Sequence, residues 1–522
     1  MAEQDAPGAA SPPPGDALRV GVVLPDTSEP NGGALPMLEI LCGDRRFDLV
    51  RLIEASSGDT VTVPWPVRMV LAAERRTLAK PRVHAAPSFE AKKSSVPVCG
   101  LSDLSPDETF DVVIDLSHSE DIREIADRSL HGVWRVSSTS RHAGLSEPMT
   151  GGPASIAEVW KLDASDGAWA LIAQASYDVK FLAARNQDFL REKTAQLVEH
   201  VLARAAAGLP LDPDAASSPA TGPAKATMVP RHLSSVTRNI GRRAFNAVAA
   251  RLGWRPRRFC LRLARGGPLD FEIGAAQEFD APAGQYWADP FLLEHEGHVY
   301  AFFEEFVYST GLGHIVVGRL DEAGLTVLGP ALKTGRHLSY PFVFRCHGEI
   351  FMLPETGSAE RLEVWRCTRF PLEWELHATA LEGLACADST LLCEEDGVWL
   401  FTNICRDSFD DFGSELHIFR ADGPDLKDLT PHPLNPVVVG SRRARGAGRI
   451  VRHEGRLYRP SQDNSHGTYG FGLNINEIEE LSPTAYRERC VRHLTTEGQQ
   501  DLIGCHHIDV LGDRVIFDVR RR

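Results

Sequence analysis

The second half of the chain repeats itself five times. Each copy is an apolar run, a tight turn with glycine, and a second apolar run ending in polar residues. The copies are Ala288 to Glu305, Tyr340 to Glu355, Asp388 to Asn403, Arg449 to Asp463 and His506 to Asp518, with turn glycines Gly297, Gly348, Gly397, Gly455 and Gly512. A strand-built unit of this length reads as a propeller blade, and residues 266–522 divide into five blades of about fifty residues each. The Gly-His and Trp-Asp signature of WD40 repeats is missing. A propeller gathers its inner strands around one axis, so polar residues far apart in sequence come to face one another.

The other half has a different texture. A chain of 522 residues exceeds one ordinary core, so further domains are expected. Residues 1–17, rich in Ala, Pro, Gly and Asp, are expected to be disordered. Residues 18–206 alternate strand-like runs (Leu18 to Leu24, Phe47 to Ile53, Phe110 to Leu116) with helical periodicity, ending in a helix from Asp188 to Ala206. That pattern predicts an α/β domain of Rossmann-like type with a mainly parallel sheet. Residues 207–265 read as a linker, polar and Pro-rich to about 228, then rich in arginine: Arg231, Arg238, Arg242, Arg243, Arg251, Arg255, Arg257, Arg258, Arg262 and Arg265. Ile240, Phe245, Val248, Ala249 and Leu252 recur within it at near-helical spacing, which predicts an amphipathic helix.

Composition removes several functions. The net charge of -15 argues against nucleic-acid binding, which needs a basic surface. The ten cysteines show neither metal-ligand spacing nor a disulfide framework. The start of the chain lacks the basic and apolar regions of a secretory signal, and no apolar run is long enough to span a bilayer. A cytoplasmic location with reduced thiols is therefore expected. The arginine-rich 231–265 segment has two readings: peripheral contact with an anionic membrane face, or a solvated face paired with the acidic remainder of the chain. The second is favoured.

The chemistry-bearing candidates sit at the ends of the repeats. They are Asp289, Glu304 and Glu305, then Tyr340 and Glu355, then Asp388 and Asn403, then Arg449, Gln462 and Asp463, and finally His506 and His507. Carboxylates facing one another can divide into a proton-bearing acid and an ionised base, the pair that glycosyl transfer or hydrolysis requires. Trp287, Tyr286, Tyr340 and Trp365 offer aromatic faces for sugar rings, with core packing as the alternative. Adjacent histidines on a strand point to opposite faces, so at most one of His506 and His507 should reach a given ion. No residue is assigned as a metal ligand on this ground.

The segments Tyr286 to Leu292, Phe302 to Glu305, Ser339 to Phe344, Leu353 to Thr356 and Ala387 to Leu391 resemble the N-terminal domain family of plant glucosamine inositolphosphorylceramide transferases and its bacterial relatives. The resemblance covers about the last half of the chain. It implies a five-bladed propeller similar to those of arabinanases, β-xylosidases and invertases, which use a general-base Asp, a second Asp that tunes pKa, and an acid Glu. Asp289 matches the first position in kind and the third repeat supplies Asp388. Tyr340 stands where the second repeat could have carried a carboxylate, a departure that argues against simple glycosidase activity. Some such propellers hold a cation at the axis through a histidine, and His506 is the analogous residue, so a divalent cation is the cofactor the resemblance allows.

The first domain resembles formyltransferases in a worn form. His131 to Ser137 lies where that family carries Gly-Val-x-Asn-x-His, with Arg135 at the Asn position and Ser137 at the His position. Gly151-Gly152-Pro153, Asp166-Gly167 and Asn186 are similar to further features of formyltransferase-like domains fused to such propellers. Without the Asn–His pair a formyl donor lacks an oxyanion stabiliser and a proton carrier.

The expected function is carbohydrate-active, in glycan or glycolipid assembly. A sugar, nucleotide-sugar or glycan would bind at the propeller axis, with transfer ahead of hydrolysis. Asp289, Asp388 and Glu355 are the catalytic candidates, and Trp287, Glu305, Tyr340, Asn403, Arg449, Asp463 and His506 the substrate-binding ones. A non-catalytic glycan-binding scaffold, and an acyl- or formyltransferase seated in the first domain, are the alternatives.

Overall fold

A computed structural model describes residues 17–25, 33–58, 61–78, 86–137, 140–163, 166–211, 222–251, 259–394, 397–499 and 501–521. The segment expected to be disordered (but for residue 17), residues 212–221 of the polar linker, and Leu252, Arg255, Arg257 and Arg258 lie outside them. The chain divides into two compact units, with the division falling at Gly241 and Arg242. Among the described residues no helix is long and apolar enough to cross a membrane.

The first unit is built on a seven-stranded sheet. In chain order the strands are Leu18–Leu24, Phe47–Glu54, Val98–Gly100, Val112–Asp115, Val133–Val136, Ser155–Leu162 and Trp169–Tyr177. They lie in the order third, second, first, fourth, fifth, sixth, seventh. The first five are mutually parallel and the sixth is antiparallel to both neighbours. Val20, Val22, Val23, Val112, Val113 and Ile114 are fully buried, as a parallel sheet covered on both faces requires. The Ala183–Ala206 helix buries Phe189, Leu190, Leu197, Val198, Val201 and Leu202, and its repeat of apolar positions gives it a broad apolar face.

Arg135 is held by its neighbours. Its Nε lies 2.8 Å from Asp115, Nη2 donates to Ser119 O at 2.6 Å, and its guanidinium lies 4.2 Å from the Trp169 ring centroid. Ser137 exchanges hydrogen bonds with the Glu158 backbone. Asn186 is fully buried and ties Lys180 N, Gly144 O and Ser155 Oγ together.

The second unit is a ring of five sheets. The first blade is Gln285–His295, His298–Val307, Leu312–Asp321 and Gly324–Leu332, and the second is Ser339–Cys346, Glu349–Glu355, Leu362–Arg369 and Glu373–Ala380. The third is Cys386–Glu394, Gly397–Ile404, Glu415–Ala421 and Thr430–Pro431, with Val438–Val439 also on it. The fourth is Val451–His453, Arg456–Asp463, Gly472–Leu481 and Tyr486–Thr495. The repeats of the sequence are the two inner strands of each blade. Their hairpins turn on consecutive positive-φ residues, Glu296-Gly297, His347-Gly348 and Glu454-Gly455, the backbone that matches strand twist in a two-residue turn.

The fifth blade is assembled from both ends of the unit. Leu502–Gly504, Ile508–Leu511 and Arg514–Arg521 come from the C-terminal end, and Phe259–Arg265 and Gln277–Phe279 from the start. Arg514–Arg521 pairs antiparallel with Phe259–Arg265, in register from Arg514 opposite Arg265 to Arg520 opposite Phe259. The sequence reading places 259–265 in the linker; the structure places it in the sheet that closes the ring. Its alternation is masked because Cys260 and Leu261 are both fully buried, one in each neighbouring core cluster.

Candidate functional site

The inner strands of the first three blades share one irregularity. Pairing with the next strand shifts between Ala288 and Phe291, between Ser339 and Phe342, and between Ala387 and Thr390. Inside each shift sits a non-glycine residue in the left-handed region: Asp289 at φ 51°, Tyr340 at φ 46° and Asp388 at φ 48°. Such bulges re-aim a side chain, and strained backbone concentrates at functional sites. Three equivalent bulges thus present Asp, Tyr and Asp where the inner strands converge.

Blades four and five complete the surroundings. Blade four brings Arg445-Gly446-Ala447-Gly448-Arg449. A Cβ on Gly446 would lie 3.0 Å from Asp388 O, and one on Gly448 would lie 1.8 Å from Ile508 O, so neither position has room for a side chain. Arg445 Nε donates to Asp388 Oδ2 at 2.6 Å, its Nη2 is 3.5 Å from Glu355, and its guanidinium lies 5.2 Å from the Tyr469 ring centroid. Gln462 Nε2 also donates to Asp388 Oδ2, at 3.2 Å. Tyr340 Oη accepts from Gly448 N at 2.9 Å, and Tyr340 N donates to Asp289 Oδ2 at 3.3 Å.

Blade five supplies a buried aspartate with a full set of partners. Asp518 Oδ1 accepts from His506 N, His507 N and His506 Nδ1, the last at 2.7 Å, and Oδ2 accepts from Asp289 N at 3.0 Å. Four donors match the roughly four lone-pair sites of a carboxylate. Asp518 therefore fixes both the left-handed turn at Asp289 and the ring of His506. His506 Nε2 lies 3.4 Å from Asp289 Oδ1, and His507 Nδ1 lies 3.8 Å from the same oxygen. The strand alternation expected for these histidines does not apply, because residues 505–507 are not in a strand.

Electrostatics follow from burial. Burial, with Asp518 and Asp388 adding to it against the pull of His506, pushes the Asp289 carboxyl up to about 7. Burial also holds Glu304 well above the carboxylate range, helped by Asp289 and Glu355. Glu355 is raised in the same way by burial and by Asp388, to which it hydrogen-bonds, with Arg445 opposing. Burial disfavours a charge on His506, but Asp518 and Asp289 outweigh it and raise its pKa. His507 lacks that compensation, and burial pushes its pKa down to about 3.

The structure brings together Asp289, Glu304, Tyr340, Glu355, Asp388, Gln462, His506 and His507 among the residues singled out in the sequence, and adds Arg445, Tyr469 and Asp518. It places the others elsewhere. Glu305 accepts from Trp287 Nε1 at 3.0 Å and lies 3.4 Å from His314, so its carboxylate and the Trp287 indole engage each other, with Trp287 packed on Phe303. Asn403 donates to Glu415 O and Ala444 O and accepts from Gly446 N. Arg449 binds Asp509, Leu292 O and Val343 O, lacing blades one, two, four and five together. Asp463 lies 3.1 Å from His493.

A cation fits one corner of this cluster. Asp289, His506 and Asp518 each offer a ligand atom within 4.8 Å of the others. Asp518 Oδ2 accepts one hydrogen bond only, and both ring nitrogens of His507 are buried beside it without a hydrogen-bond partner. Asp289, His506 and Asp518 are the donors that would hold a divalent ion, which would supply positive charge beside Asp289.

The fold is a five-bladed propeller whose inner strands bring these carboxylates together. Residues 273–510 match the family described as glucosamine inositolphosphorylceramide transferase 1, N-terminal. The chain is 39% identical over 206 residues to glucosamine inositolphosphorylceramide transferase 1 of Oryza sativa subsp. japonica, covering 38% of this chain and 27% of that protein. It is 35% identical over 234 residues to the Arabidopsis thaliana protein of the same name, covering 43% and 30%. The chain thus spans under a third of the length of these relatives. Among solved structures, it is similar to an exo-β-1,3-galactanase from Phanerochaete chrysosporium (TM-score 0.34, 13% identity, 49% of this chain and 60% of that one). It is also similar to the catalytic domain of a Coprinopsis cinerea GH62 α-L-arabinofuranosidase (TM-score 0.35, 13% identity, 50% and 97%).

Proposed function

We propose that this protein transfers a sugar in glycolipid assembly and that the reaction is carried out at the Asp289 cluster. One observation carries the reading: Asp289, Glu304, Glu355 and Asp388 lie together where the inner strands converge. Burial raises the pKa of Glu304 and Glu355 and pushes Asp289 up to about 7, while Asp388 pairs with Arg445. That division is what acid/base chemistry on an anomeric centre uses. Asp289 takes the proton of the acceptor hydroxyl as the new C–O bond forms, and the leaving group departs with the electron pair of the old bond. The relatives' name supports a glucosamine-type sugar and an inositolphosphorylceramide-type acceptor.

The test is turnover of nucleotide-activated glucosamine and N-acetylglucosamine with an inositol-phospholipid acceptor by the full chain. Asp289→Asn is expected to lower turnover by about 10²- to 10⁴-fold. Turnover unchanged in that variant would sink the assignment.

The finer reading of the first unit, a worn formyltransferase domain, belongs with this proposal. The seven-stranded sheet with its single antiparallel sixth strand supports an α/β scaffold of that kind. Arg135, held by Asp115, supports a scaffold that has exchanged catalysis for another role.

A further inference from the structure

The Val229–Arg251 helix is divided along its length. Its first half buries His232, whose Nε2 lies 2.6 Å from Glu74, and Val236, which packs with Val67, Leu71 and Leu145. Its outer side is apolar. Leu233 is 51% exposed, Ile240 42%, Phe245 59% and Val248 56%. Leu233, Thr237, Ile240, Ala244 and Val248 recur at three- and four-residue steps, so they form one stripe, with Phe245 at its margin. Of the residues read at helical spacing in the sequence, Ile240, Phe245 and Val248 are exposed, Ala249 is buried and Leu252 lies outside the described residues.

Charge identifies what the stripe meets. Arg238, Arg242 and Arg243 are exposed on the same helix. No acidic residue occurs between Arg231 and Arg265, in a chain whose net charge is -15. A helix with a large apolar stripe and cationic flanks lies in the plane of an anionic bilayer surface, its apolar side chains among the acyl chains and its arginines at the phosphates. An aqueous solvated face accounts for the arginines but leaves Leu233, Ile240 and Val248 exposed to water. A chain this acidic is repelled by an anionic surface everywhere except at such a segment.

We propose that the Val229–Arg251 helix docks the protein on an anionic lipid surface. The proposal is independent of the sugar chemistry, because it is read by lipid binding alone.

The experiment is co-sedimentation of the full chain with phosphatidylcholine vesicles, with and without phosphatidylglycerol. Binding is expected only with phosphatidylglycerol, and should weaken as salt is raised. The triple variant Leu233→Ser/Ile240→Ser/Val248→Ser should lower the bound-to-free ratio at least about tenfold. Arg238→Gln should lower it by about fivefold. All three positions of the triple variant are exposed, so its thermal melt should match the parent's. If the triple variant unfolds early, the single Val248→Ser and Arg238→Gln variants carry the test. Equal binding to neutral vesicles, no binding to either, or variants that sediment like the parent would overturn the proposal. So would a dimer in solution, abolished by the triple variant, without any vesicle binding.

Discussion

Arg445 reaches across 57 residues of sequence to place its Nε 2.6 Å from Asp388 Oδ2. Asp388 is buried and the Arg445 side chain is 14% exposed, so Asp388 depends on Arg445 for charge compensation. Removing one member of such a pair costs roughly 3–5 kcal/mol, because the charge left behind has neither water nor a partner. Arg445→Met is expected to lower the urea midpoint by that order at neutral pH. Arg445→Met/Asp388→Leu should recover most of the loss. A single variant as stable as the parent would show that the pair is not buried in solution.

Glu304 gives a pH dependence of definite sign. Its folded pKa is raised, chiefly by burial, and Oε1 has no hydrogen-bond partner. The folded state therefore binds a proton that the unfolded chain has released. The contribution of this group to stability is complete below the ordinary Glu value of about 4.3 and is lost as pH rises above it toward the raised value. Glu304→Gln removes that loss. The variant should be more stable than the parent at pH 8 by roughly 1–3 kcal/mol, with the difference shrinking toward pH 4. Denaturant titrations across that range measure it, and a difference independent of pH would contradict the assignment.

Divalent cations should act on the same cluster through His506. Calcium, magnesium and manganese can be screened by thermal melts with and without a chelator. An ion that binds only the folded state stabilises by about 2.7 kcal/mol at a hundred times its Kd. His506→Ala should abolish the response. A response that survives the substitution would place the ion elsewhere.

Closure of the ring makes the fifth blade sensitive to its last strand. Phe517 is fully buried against Phe271, whose ring centroid is 5.4 Å away. Phe517→Ala should cost about 3–5 kcal/mol. Truncation before Arg514 should abolish cooperative unfolding of the propeller, measured by calorimetry on the full chain.

The inner hairpins were legible because their turn glycines and apolar runs recur at nearly constant spacing, and the same recurrence aligned Asp289, Tyr340 and Asp388. The choice of Glu304 over Glu305 was not legible. Strand alternation puts the two on opposite faces, but the shift between Ala288 and Phe291 decides which face meets Asp289. Arg445 was hidden for another reason: it lies outside any strand, before the repeat that was recognised, and nothing local marks it as the partner of Asp388. The Phe259–Arg265 strand reads locally as part of an arginine-rich stretch, and only its pairing with Arg514–Arg521 gives it a sheet. His506 and His507 both reach Asp289 because the backbone there leaves the pleated geometry that the sequence argument assumed.

The pairing of Phe259–Arg265 with Arg514–Arg521 has a consequence for synthesis. The early strand must wait, with one edge unsatisfied, through the translation of more than two hundred further codons. During that time the nascent chain carries an open arc rather than a ring. Chaperone engagement and errors of assembly should therefore concentrate in that interval, ending only when the 514–521 strand leaves the ribosome.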